Sequence, residues 1–80
     1  MESNEELHIG DAIKQIVKLQ GRSPSWLAKQ LGCERANIYD IYIRPYIDTF
    51  LLRKISIALN YDFFLLYSSK LNINKIITAP

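Results

Sequence analysis

Two short segments with helical apolar spacing, about Pro24–Leu31 and Arg35–Ile43, meet at a tight turn, Leu31-Gly32-Cys33-Glu34. A helix of about two turns does not stand alone in water, so neighbours must hold both segments. Gly32 suits the turn because it takes positive φ at no steric cost. Ala28 lies four residues before it. Two helices that cross steeply come close near their turn, and a bulky side chain at Ala28 would push them apart. Ile38, six residues after Gly32, anchors the second segment to whatever core lies beneath. These positions predict a helix-turn-helix, which holds one helix proud of a small body.

The flanking sequence supplies that body. Ile9, Ile13, Ile16 and Val17 make an apolar stripe on a first helix, Leu7–Gln20, with Gly21 placed for a left-handed exit. Ser23 is a good cap for the second helix and Pro24 suits its first position. Leu27, Ala28 and Leu31 face inward there. On the third helix Ile38, Ile41 and Tyr42 share one side, and Arg35, Ala36, Tyr39, Asp40 and Ile43 share another. Pro45 stops it. Asp48 caps a fourth helix, Thr49–Leu59, with Leu51, Leu52, Ile55, Ala58 and Leu59 inward, and Asn60 takes the exit. Asp62 caps a short fifth, Phe63–Tyr67. Tyr42 and Phe63 are expected in the core, with Cys33 as a small buried hydrophobe. Trp26 is expected mainly to pack, with sugar-phosphate stacking or a dimer contact as the other roles its size allows.

The expected organisation is therefore an acidic flexible N-terminus (1–6), one all-α domain of five helices (7–67), and a C-terminal tail (68–80). The tail is β-branched at Ile73, Ile76, Ile77 and Thr78, which fits an arm, an edge strand or a dimerisation segment.

Composition narrows the function. The chain of 80 residues suits one domain, and 49% apolar with 22% charged is a folding composition. Met1–Glu6 has no basic residue ahead of an apolar stretch, and no apolar run approaches the roughly 18 residues of a membrane span. One cysteine makes no internal disulfide, so a reducing, cytoplasmic setting is expected. Net charge is only +2, but three of eight acids (Glu2, Glu5, Glu6) sit in the first six residues. From Leu7 onward ten bases face five acids, an excess that suits an anionic partner. His8 and Cys33 alone supply neither a metal site nor a catalytic pair. No enzymatic activity, cofactor or small-molecule substrate is expected.

The chain resembles the Cro/phage-repressor class of helix-turn-helix regulators, the XRE type. The likeness rests on Ser23-Pro24-Ser25-Trp26-Leu27-Ala28-Lys29-Gln30-Leu31-Gly32-Cys33, on Ile38, on Asp48 through Leu59 and on Asp62-Phe63-Phe64. It spans about Ile9–Tyr67. The resemblance implies a compact five-helix, lambda-repressor-like fold and a transcriptional regulator that binds double-stranded DNA near the nucleoid. Arg35–Ile43 then enters the major groove. Arg35 reads a guanine edge, Ala36 meets a thymine methyl, Tyr39 bonds a base or phosphate, and Asp40 accepts from cytosine. Ser23 and Ser25 meet the backbone at the positive helix end, and Arg44 and Tyr46 touch phosphates. Outside that role, Arg35 pairs locally with Glu34 or Asp40. A homodimer is expected, reading two half-sites about one helical turn apart, through Phe64, Leu65 and Tyr67 or the tail.

Some residues depart from the pattern. Glu34 stands where a Ser or Thr cap is usual. Glu34 and Asp40 offset Arg35 and Arg44, leaving the reading surface nearly neutral. The loop Arg44-Pro45-Tyr46-Ile47 lacks the usual glycine-rich turn. With five tyrosines in the chain, these residues define an alternative on the same fold, a protein-interaction or antitoxin-like module.

Overall fold

His8 starts the first helix. Its Nδ1 accepts the Asp11 N–H at 3.1 Å, and α1 runs Ile9–Leu19. The computed structural model describes residues 6–71. Four more helices follow: α2 (Pro24–Leu31), α3 (Arg35–Tyr42), α4 (Thr49–Leu59) and α5 (Phe64–Leu71). Among the described residues there is no strand, and no helix is long and apolar enough to cross a membrane.

The helix ends follow local chemistry. Ser23 Oγ caps α2 by accepting the Trp26 N–H at 3.1 Å, and Asp48 Oδ1 caps α4 through Leu51 N–H at 2.8 Å. Gly32 closes α2 with φ 73°, and Cys33 N–H reaches back to Ala28 O at 3.0 Å. That bond satisfies a carbonyl the helix end would otherwise orphan. Asn60 closes α4 the same way at φ 51°, with Tyr61 N–H on Ser56 O. Asn is among the few non-glycine residues that adopt this conformation readily.

Five boundaries differ from the periodicity, one being the end of α1, which falls at Leu19 with Gln20 as the residue that leaves it. The apolar residue Leu7 lies outside α1, because the His8 cap fixes the start. Ile43 is the residue that leaves α3, not its last turn. Phe63 precedes α5, and the helix continues past Tyr67 to Leu71. Ser68 and Ser69 do not break it. Ser69 Oγ donates to Leu66 O at 3.2 Å, so the hydroxyl is satisfied without leaving the helix. Ser68 to Leu71, expected outside the helical domain, are thus part of α5. Residues 1–5 and 72–80, which hold most of the expected acidic N-terminus and the β-branched tail, lie outside the described residues.

The core is the set that the spacing places inward. Ile9, Ile13 and Val17 of α1 meet Leu27 and Ala28 of α2, Ile38, Ile41 and Tyr42 of α3, Leu52, Ile55 and Leu59 of α4, and Phe63. Ile16, Leu31, Leu51, Ala58 and Cys33 pack against it without full burial. Trp26 also packs at the core edge, and the Arg22 guanidinium lies 4.2 Å from its ring centre. Trp26 remains half-buried there.

A polar tie joins the two longest helices. Gln20, just past α1, donates from Nε2 to Leu59 O at 2.7 Å. Gln20→Ala is expected to cost about 1 kcal/mol, the net worth of one partly buried hydrogen bond. Urea unfolding should show a lower midpoint at unchanged slope; an unchanged midpoint would mean water replaces the amide without loss.

Candidate nucleic-acid interface

The turn between α2 and α3 sets the site. Ala28 is buried where the two helices meet, and this helix pair makes the most extensive contact among those of the described helices. Glu34 precedes α3 in extended conformation (φ −93°, ψ 156°), and its side chain makes no capping bond. Its backbone carbonyl instead accepts the Asn37 N–H at 2.9 Å.

Burial of Ile38, Ile41 and Tyr42 fixes how α3 is rotated. With those three inward, Arg35, Ala36, Tyr39 and Asp40 are turned out, and all four are exposed. Burial, then the neighbouring Tyr39, push the Tyr42 hydroxyl above its ordinary value. Tyr42 thus stays neutral beneath the site, while Tyr39 meets it edge-on at 6.1 Å. Tyr39 is 52% exposed and Tyr46 is 75% exposed.

Arg44 is held at three points. Its N–H donates to Ile41 O and its carbonyl accepts the Gly10 N–H, both at 3.0 Å. Its Nη2 donates to Asp40 Oδ2 at 2.6 Å. Arg44, not Arg35, is therefore the partner of Asp40, and among the described residues Arg35 has no ion-pair partner. The spacing explains it. Arg35 and Asp40 are five apart on α3 and do not face each other, whereas Arg44, two residues past the end of α3, is turned back toward Asp40 by its main-chain bond to Ile41 O.

Ser23 and Ser25 lie at the start of α2, at the opposite end of that helix from the turn. Both are exposed. Ser23 Oγ is occupied as an acceptor, which leaves its O–H free to donate. Pro24 brings no N–H, and Ser25 N–H has no acceptor within the helix. No hydrogen bond among the described residues joins these serines to the α3 cluster.

Two features were not apparent from the sequence. Gly10, buried in α1, abuts the end of α3: Ile9 N–H donates to Pro45 O and Gly10 N–H to Arg44 O, each at 3.0 Å. The first turn of α1 thereby pins the loop that carries Arg44 and Tyr46. A cleft of about 320 Å³ also lies between α3 and α4, with Asn37, Asp40, Arg44 and Lys54 over a floor that includes Ile41 and Leu51. Cys33 lines it half-buried, not fully buried as expected. Only the three-residue spacing of Asn37 and Asp40 hinted at that second face of α3; Arg44 joins it from beyond the helix end.

No family model matches the chain, and no curated protein or solved structure matches it.

Proposed function

We propose that the protein is a small sequence-specific regulator that binds double-stranded DNA through α3, on a lambda-repressor-like helix-turn-helix fold. The observation that carries this reading is the rotation of α3. Its buried side locks the helix to the body, and its free side presents Arg35, Ala36, Tyr39 and Asp40 to solvent. A helix so placed has the width to enter a major groove, about 12 Å across. Arg35, without an ion-pair partner among the described residues, has its full fork of donors for a guanine edge or a phosphate. Ser23, Ser25, Arg44 and Tyr46 serve the backbone on either side. In this reading the protein works in the cytoplasm at the nucleoid, with no catalytic residue, cofactor or small-molecule substrate.

A single unit this size makes few base contacts, so the reading includes a homodimer. Phe64 and Leu65 are exposed on α5 and Tyr67 is half-buried beside them, which supports that end as the pairing surface.

The test is fluorescence anisotropy of mixed-sequence duplex fragments at low and moderate salt. Wild type should bind with steep salt dependence, as phosphate neutralisation demands. Arg35→Ala should weaken binding about tenfold, the loss expected of one good base or phosphate contact. Absence of binding to any duplex at low salt sinks the reading.

A second reading has its own observation. Tyr39, Ile43 and Tyr46 place three large, exposed and mainly apolar side chains at the end of α3, beside a paired Asp40 and Arg44. Such a surface suits a protein partner, as in an antitoxin-like module. Binding that persists at high salt separates it from the first.

A further inference from the structure

We propose that Asp40 is a brake on DNA binding that acts by cancelling the charge of Arg44. The proposal rests on α3 being the DNA-contacting helix, and it gives Asp40 a role other than base contact.

Asp40 stands on the outward face of α3 with Arg35, Ala36 and Tyr39. Its carboxylate takes the Arg44 guanidinium at 2.6 Å. Arg44 cannot swing its main chain away, because its N–H is on Ile41 O and its carbonyl is on the Gly10 N–H. The guanidinium is therefore held at the exit of α3, next to the carboxylate. Both side chains remain about half exposed, 47% for Arg44 and 54% for Asp40, so the pair sits where an outside phosphate reaches it.

The charge balance follows. Among the residues lining the α3–α4 cleft, Arg44 and Lys54 are the cations and Asp40 is the acid. With Asp40 ionised the group carries +1; with a neutral amide in its place it carries +2. A phosphate approaching Arg44 must displace Asp40 or accept its repulsion. Both penalties are independent of base sequence, so they lower affinity for operator and bulk DNA alike and leave the ratio between them unchanged; the brake sets how tightly the protein holds any duplex.

The experiment uses the full chain and mixed-sequence duplex as probe, read by anisotropy over a series of KCl concentrations. Four proteins are compared: wild type, Asp40→Asn, Arg44→Ala and the double variant. Asp40→Asn keeps the shape and removes the charge. It should bind about fivefold more tightly, with log K falling more steeply against log salt by about one unit, the signature of one added phosphate contact. Arg44→Ala should weaken binding in both backgrounds, and by less in wild type than in Asp40→Asn, because in wild type Asp40 already offsets part of its charge. The double variant should lose the gain. Asp40→Ser is a second carrier of the same expectation if the amide perturbs the fold in a thermal melt. If wild type binds and both Asp40 variants bind equally or more weakly, the brake is wrong and the DNA reading stands. If no variant binds duplex at low salt, the DNA reading fails and the brake falls with it.

Discussion

Gly10→Ala is expected to lower the melting temperature by roughly 8 °C or more and to loosen the loop after α3. The sign is the informative part. Gly10 is the second residue of α1. Alanine is the better helix former by about 1 kcal/mol, and Gly-to-Ala changes at compatible sites stabilise through the unfolded chain. On local grounds the substitution should therefore help. The tertiary contact reverses it. A methyl at Gly10 collides with the carbonyl oxygens of Ile41 and Tyr42 and comes within 2.7 Å of that of Arg44. All three are backbone atoms, and none can turn aside as a flexible side chain can. Overpacking of this kind costs about 1–3 kcal/mol, and here three contacts must yield together. Net of the helix gain, a loss of about 2 kcal/mol is expected, or roughly 8–16 °C for a domain of this size.

The same substitution tests whether α1 positions the candidate interface. Moving α1 away lengthens the bonds from Ile9 N–H to Pro45 O and from Gly10 N–H to Arg44 O. Amide exchange at Ile9 and Gly10 should accelerate before global unfolding. A variant as stable as wild type, with unchanged exchange there, would show that the close approach carries no constraint.

Gly10 also marks the limit of what the residues disclose by order alone. Helical spacing placed Ile13, Leu27, Ile38 and Ile55 inside, since a 3.6-residue period needs no knowledge of neighbours. Caps at Ser23 and Asp48 were legible because they act within three residues. The Gly10 contact joins positions more than thirty residues apart, and no local pattern reports how closely two backbones approach. His8 was read as an isolated residue, and its capping role depends on a rotamer. The outward set on α3 followed directly from the inward one. Its pairing did not, because Arg44 lies past the end of α3 and only the path of the chain there decides between it and Arg35. The continuation of α5 through Ser68 and Ser69 was missed for a related reason. Serine weakens a helix on average, yet its hydroxyl can be satisfied on the helix itself.

Phe63→Ala is expected to be the most damaging substitution in the last third of the chain, and Phe64→Ala nearly harmless. The two residues are adjacent and chemically identical, so their difference isolates burial. Phe63 is fully buried, while Phe64 is 37% exposed. Phe63 lies in the turn before α5, and its ring meets that of Tyr61 edge-on at 4.7 Å between centres. Its carbonyl accepts the Leu66 N–H at 3.1 Å, and packing holds the ring. Truncating such a ring costs about 3–5 kcal/mol in lost transfer energy and cavity. A domain of 80 residues has a total stability of about 4–12 kcal/mol at ordinary values per residue. Phe63→Ala thus removes between a quarter and all of it, and should leave a substantial unfolded fraction at 37 °C. Phe64→Ala should cost about 1 kcal/mol or less, the range of surface changes and partial contacts. Urea unfolding of both variants checks this, with the slope confirming two-state behaviour. Equal midpoints would mean that α5 is held by the helix itself rather than by the ring at its entrance, and the pairing surface proposed on α5 would then lose its rigid base.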